Sequence, residues 1–150
     1  MALNTRLTQQ LRITHPIISA PMAFAAGGRL AAAVSAAGGL GLIGGGYGDV
    51  DWIDAEFRAA GNVPVGCGFI TWSLKKQPQL LDHVLTRSPA AIFLSFGDPQ
   101  RFVTRIKEAG VTLICQCKRA VTQSTPSTAV PTSLSRRARR PAVTASAERQ

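Results

Sequence analysis

A chain of 150 residues with a formal net charge of +9 is long enough to bury one ordinary core. It is short for a closed barrel of eight βα units, which takes about 200 to 250 residues or more. Hydrophobic residues at 45% exclude a wholly disordered chain. The charge is uneven: residues 1–116 carry 10 Lys and Arg against 7 Asp and Glu, whereas residues 117–150 carry 7 against 1. All 14 glycines and all nine aromatics precede residue 117, so the basicity does not describe one uniform nucleic-acid-binding domain.

The first 116 residues alternate strand-like and helix-like segments. Pro16–Ala20 is a short apolar run ending at Pro21 and reads as a buried strand. Gly27–Ala37 is Ala-rich and stops at Gly38-Gly39, as a helix does. Leu40–Ile43 reads as a second strand with Gly44-Gly45-Gly46 as its loop. Asp49–Phe57 opens with a capping residue and first-turn acids, which suit a helix N-terminus. Val63–Ile70 reads as a strand, Gln77–Leu85 as a helix, Ala90–Ser95 as a strand and Pro99–Ala109 as a helix closed by Gly110. Val111–Cys115 reads as the fifth strand.

Apolar strands joined by helical crossovers predict a parallel sheet, in a barrel or a doubly wound arrangement. Either fold binds ligands at the C-terminal ends of its strands. That directs attention to Ala20–Ala23, Gly44–Gly48, Gly68–Ser73, Ser95–Asp98 and Gln116. Ala20-Pro21-Met22-Ala23 reads either as a backbone shelf against a flat ring or as a turn with a core methionine. Gly44–Gly48 lacks the lysine and the spacing of a P-loop and reads as a close-approach or flexible loop. His15 and His83 fall away from the strand ends and read as structural or solvated. Cys115 reads as an inert buried thiol. The three cysteines, without a CxxC pair, fit a reducing compartment and argue against a disulfide framework or zinc site. The N-terminus lacks the apolar core of a secretion signal, and the apolar run near residues 30–46 is interrupted by glycines. The expectation is a cytoplasmic protein with no membrane or nucleic-acid partner.

The successive pieces HPIISAPM, AAVSAAGGLGLIGGG, VGCGFITW, LSFGDP and VTLICQ resemble the N-terminal half of the nitronate monooxygenase family, formerly called 2-nitropropane dioxygenases. The APM and SAAGGLG pieces are shared with related flavin enzymes, including flavin-dependent enoyl reductases. The resemblance implies the α/β class. Residues 1–116 would be the N-terminal part, about four and a half βα units, of an FMN-binding TIM (β/α)8 barrel. It implies FMN as cofactor, with a small nitronate or nitroalkane and oxygen as partners. Ala20, Pro21 and Met22 would lie against the isoalloxazine, and Gln116 would face its polar edge. Gly68 stands where many family members carry an asparagine near the flavin.

The resemblance stops at Gln116. Family members continue to a loop resembling AQGxEAGGHxG, which supplies the catalytic histidine. Residues 117–150 contain no glycine, aromatic or histidine, so no catalytic residue is assigned. Their Ser/Thr/Ala/Arg/Pro composition reads as a basic disordered tail. When GC-rich codons are assigned to residues 128–146, the frame one nucleotide earlier can spell GGADIVVAQGAEAGGHGVS, which contains the missing motif. A single lost G at the Gln116 codon closes the junction. The expectation is a barrel truncated by a frame change, with residues 117–150 and their Arg136–Arg140 cluster translated out of frame.

Overall fold

A computed structural model describes residues 3–116. The readings placed on residues 117–150 lie outside the described residues. Ten elements follow in chain order: α1 (Arg6–Leu11), α2 (Gly28–Ala36), β1 (Leu42–Gly44), α3 (Val50–Ala60), β2 (Gly66–Ile70), α4 (Thr71–Leu74), α5 (Gln79–Leu85), β3 (Ala91–Ser95), α6 (Gln100–Glu108) and β4 (Thr112–Cys115). The strands form one parallel sheet in sequential order, β1-β2-β3-β4. Sequential parallel order with a helical crossover at every step is the arrangement of a barrel wall.

The expected first strand is corrected. Pro16–Ala20 is extended but joins the sheet through a single bridge, Ile18 to Leu40. Ser19 N–H donates to the Leu40 carbonyl, and the Ser19 hydroxyl accepts from Leu42 N–H at 2.8 Å. A side chain thus replaces the next rung of the ladder, which ends the regular pairing. Two helices were not anticipated. α1 is held by a capping box, in which Thr5 and Thr8 each accept from the other's backbone N–H. α4 is a single turn continuing directly from β2.

The sheet is apolar on both faces. One face packs against the helices in a core containing Ile53, Phe69, Leu81, Ile92, Leu94, Phe102 and Ile106. Alternate residues reach the other face, where Leu40, Leu42, Ala91 and Ile114 pack with Phe93, Ile18 and the segment after α1. α2 lies close against α3, and a Cβ on Gly28 would meet the Glu56 carbonyl oxygen at 1.7 Å. The Glu56 carboxylate accepts from Gly28 N–H at 2.6 Å and caps α2, whose own N-cap, Gly27, has no side chain.

Candidate functional site

A cleft of about 450 Å³ opens at the C-terminal ends of the strands. Its walls include Ala20–Ala23, Gly46, Gly68, Ser95, Phe96 and Gln116. All five residues expected to touch a cofactor, Ala20, Pro21, Met22, Gly68 and Gln116, therefore line the same cavity. Gly46 is the part of the Gly44–Gly48 loop that reaches it.

Two glycines seat the Ala20–Met22 shelf. A Cβ on Gly68 would lie 2.3 Å from both Cβ and Cγ of Pro21, and one on Gly44 would lie 2.2 Å from the Met22 carbonyl oxygen. These positions must be glycine because another piece of the chain occupies the side-chain volume, not because their φ requires it. Pro21 fills the space that any side chain at position 68 would need, so the shelf packs directly on β2. Beyond Pro21 the chain turns back, with Ala26 N–H donating to the Met22 carbonyl. Met22 is left 51% exposed, so its thioether faces the cleft rather than a core.

Gln116 follows β4, and its backbone N–H donates to the Leu94 carbonyl at 2.9 Å. The Ser95 hydroxyl donates to the Phe69 carbonyl, which ties β3 to β2 at the cleft floor. Phe96 lines the wall with φ of 55° and is 53% exposed. A bulky non-glycine residue in the left-handed region at a strand end is a strained position of the kind found at ligand sites. The Ser95–Asp98 segment is marked by its place at a strand end, but Phe96 within it is not, because a left-handed phenylalanine has no composition signature.

Cys67 of β2 lies in the core between sheet and helices. Burial pushes its thiol up to about 12, opposed by hydrogen bonds with the backbone of Gly45 and Gly68. It is therefore protonated at neutral pH and unsuited to nucleophilic work. The inert buried thiol is Cys67; Cys115 is only half-buried. His15 does not line the cleft. His83 lies on α5, where its Nε2 is 2.8 Å from Asp54 of α3, with Arg87 on the same carboxylate at 2.9 Å. The hydrogen bond from His83 is the main reason the Asp54 carboxyl sits below its ordinary range; partial burial opposes this and Arg87 adds to it. This cluster ties two helices together on the outer face. Among the described residues no group of His, Cys, Asp and Glu could hold a metal ion, and no helix is long and apolar enough to cross a membrane.

Sequential parallel strands, helical crossovers and a ligand-sized cleft at the strand ends are the arrangement of part of a parallel α/β barrel. Residues 4–66 match the profile of the family described as Nitronate monooxygenase. A probable nitronate monooxygenase of Staphylococcus saprophyticus is 48% identical over 56 residues, covering 37% of this chain and 16% of that protein. These matches establish the nitronate monooxygenase resemblance for the N-terminal part of the chain. A (3aS,4S,5R,7aS)-5-hydroxy-7a-methyl-1-oxo-octahydro-1H-indene-4-carboxyl-CoA dehydrogenase of Rhodococcus jostii is 26% identical over 115 residues, 75% of this chain and 32% of that protein. Among solved structures, FabK from Thermotoga maritima superposes with a TM-score of 0.68 at 31% identity, covering 77% of this chain and 38% of that one. The chain thus spans about a third or less of the length of these curated relatives.

Proposed function

We propose that the described residues are the cofactor-shelf part of an FMN-dependent barrel oxidoreductase of the nitronate monooxygenase type. The observation that carries this reading is the Ala20-Pro21-Met22 shelf, seated on Gly44 and Gly68 and lining one cleft together with Gln116. The donor set suits a flavin: an apolar shelf for a flat ring, glycine backbone for close approach and an amide for its polar edge. When bound, FMN would supply the two-electron oxidation of an alkyl nitronate, with dioxygen as the final acceptor. The chain's own residues position and shield. Pro21 fixes the backbone of the shelf, Met22 presents a polarizable surface, Gln116 offers hydrogen bonds, and Ile18, Leu42 and Phe69 keep the floor dry. Among the described residues no segment has the sequence of the family's histidine loop.

The same proposal extends to residues 117–150: they are an out-of-frame product of a single-base loss at the Gln116 codon, and a 150-residue chain without the histidine loop does not turn over nitronate. The fold match to FabK favours a second reading, another flavin-dependent barrel oxidoreductase. FMN titration of the 150-residue chain, followed by visible absorbance, tests the shelf. Saturable binding that Gly68→Ala weakens is expected, and binding indifferent to that substitution refutes the assignment.

A further inference from the structure

Beside the cleft, outside the residues assigned to the flavin, two aromatic rings stand in the open. Tyr47 is 57% exposed and Trp72 is 47% exposed, yet their ring centroids lie 6.0 Å apart with planes inclined by 52°. They come from different strand-end segments. Tyr47 follows Gly46 after β1, and Trp72 lies in α4, which continues from Ile70 of β2; Gly46 and Ile70 both line the cleft. The two segments are fastened together from beneath, where the buried Ser73 hydroxyl donates to the Tyr47 carbonyl at 2.9 Å. The Lys76 ammonium lies 5.2 Å from the centre of the Trp72 ring. None of the ion pairs among the described residues involves Lys76.

Single exposed aromatics are common on protein surfaces. A tilted pair on a clamped backbone, with an uncompensated cation against one ring, is more specific. The rings offer π-faces to a planar group, and the clamp means little ordering is lost on binding. The lysine adds a point charge of the kind used for phosphate. A bare anion would not use the rings, and a neutral aromatic would not use the lysine. A purine carrying phosphate uses both.

We propose that Tyr47, Trp72 and Lys76 form an outer subsite for an adenosine phosphate group, with the purine against the rings and phosphate at the Lys76 ammonium. The group is the tail of a ligand whose reacting head enters the cleft between Gly46 and Ile70. This rests on the flavin-barrel reading for what the head does, but not for the binding itself. Coenzyme A thioesters, pyridine dinucleotides and FAD all carry this tail.

Equilibrium dialysis of ADP against the 150-residue chain, alone and with saturating FMN, tests the subsite. The expected result is saturable binding unaffected by FMN, weakened about tenfold by Trp72→Leu. Lys76→Gln should abolish the preference for ADP over adenosine. Both side chains are exposed, so the variants should keep the parent's far-ultraviolet circular dichroism, and Lys76→Gln alone decides the matter if Trp72→Leu does not. Absence of saturable ADP binding, binding unchanged in both variants, displacement by FMN, or equal binding of ribose 5-phosphate overturns the proposal. Parallel measurements with coenzyme A, NADH and FAD identify the source of the tail. ADP binding without FMN binding would sink the flavin reading and leave the subsite standing; the reverse would sink the subsite alone.

Discussion

Replacing Gly68 by alanine places one methyl group where the structure leaves no room for it. Its Cβ would lie 2.3 Å from two carbons of the Pro21 ring and 3.5 Å from Phe93 Cβ. Carbon atoms pack best at about 3.5–4.0 Å, so the first two contacts are short by more than about 1 Å. A proline ring cannot swing aside as a long side chain would, and the Met22 carbonyl behind it is already against Gly44. Relief must come from moving the whole Ala20–Met22 segment off β2. Overpacking of this kind costs about 1–3 kcal/mol, or roughly a 5- to 150-fold rise in the unfolded-to-folded ratio. Urea denaturation of parent and variant, followed by circular dichroism, reads the stability loss, and FMN titration reads displacement of the shelf. A Gly68→Ala chain with unchanged denaturation midpoint and unchanged FMN affinity would refute the glycine-seat argument. Loss of stability with intact FMN binding would refute only the shelf's role in holding the cofactor.

Ser19→Ala should cost about 1–3 kcal/mol, because the N–H of buried Leu42 loses its Ser19 acceptor; a difference below about 0.5 kcal/mol in urea melts would show that another acceptor replaces it. Asp54 has a carboxyl lowered below 3.8 in the folded chain, so its contribution is present above that value and is lost as pH falls through the lower folded-state range. Asp54→Asn should therefore flatten the acid limb of a melting-temperature profile below about pH 4, and an unchanged acid limb would count against the His83–Asp54 tether. Cys67, held near 12 by burial, should resist iodoacetamide at pH 8 in the folded chain and react in urea; mass spectrometry showing rapid labelling of Cys67 without denaturant would contradict its burial. Sequencing the gene across the Gln116 codon should reveal an alternative frame encoding an AGGHG loop, and its absence would remove the frame-change account.

Much of the sheet was legible because its residues obey simple rules. β2, β3 and β4 are short apolar runs bounded by turns, and helix α6 is closed just before Gly110, where φ is 68° and a glycine is needed. The strand-end rule points to Ala20–Met22, Gly68 and Gln116, and all of them line one cleft. Pro16–Ala20 looked like a strand because apolar composition does not show that Ser19 will take over a backbone rung. α1 escaped notice because its signal is the Thr5–Thr8 capping box rather than a hydrophobic stripe. The Tyr47–Trp72 pair is separated by many residues in the chain and is created by the parallel pairing of β1 with β2, which no local pattern reports. The space above Gly68 is taken by Pro21, a fact that exists only in the packed structure.

The most direct test restores the reading frame at the Gln116 codon and compares the resulting protein with the 150-residue chain in an oxygen electrode, with an alkyl nitronate as substrate and FMN absorbance recorded alongside. The account predicts a yellow, frame-restored protein that consumes oxygen when nitronate is added, and no turnover by the 150-residue chain. A colourless frame-restored protein, or equal turnover by both chains, would contradict it.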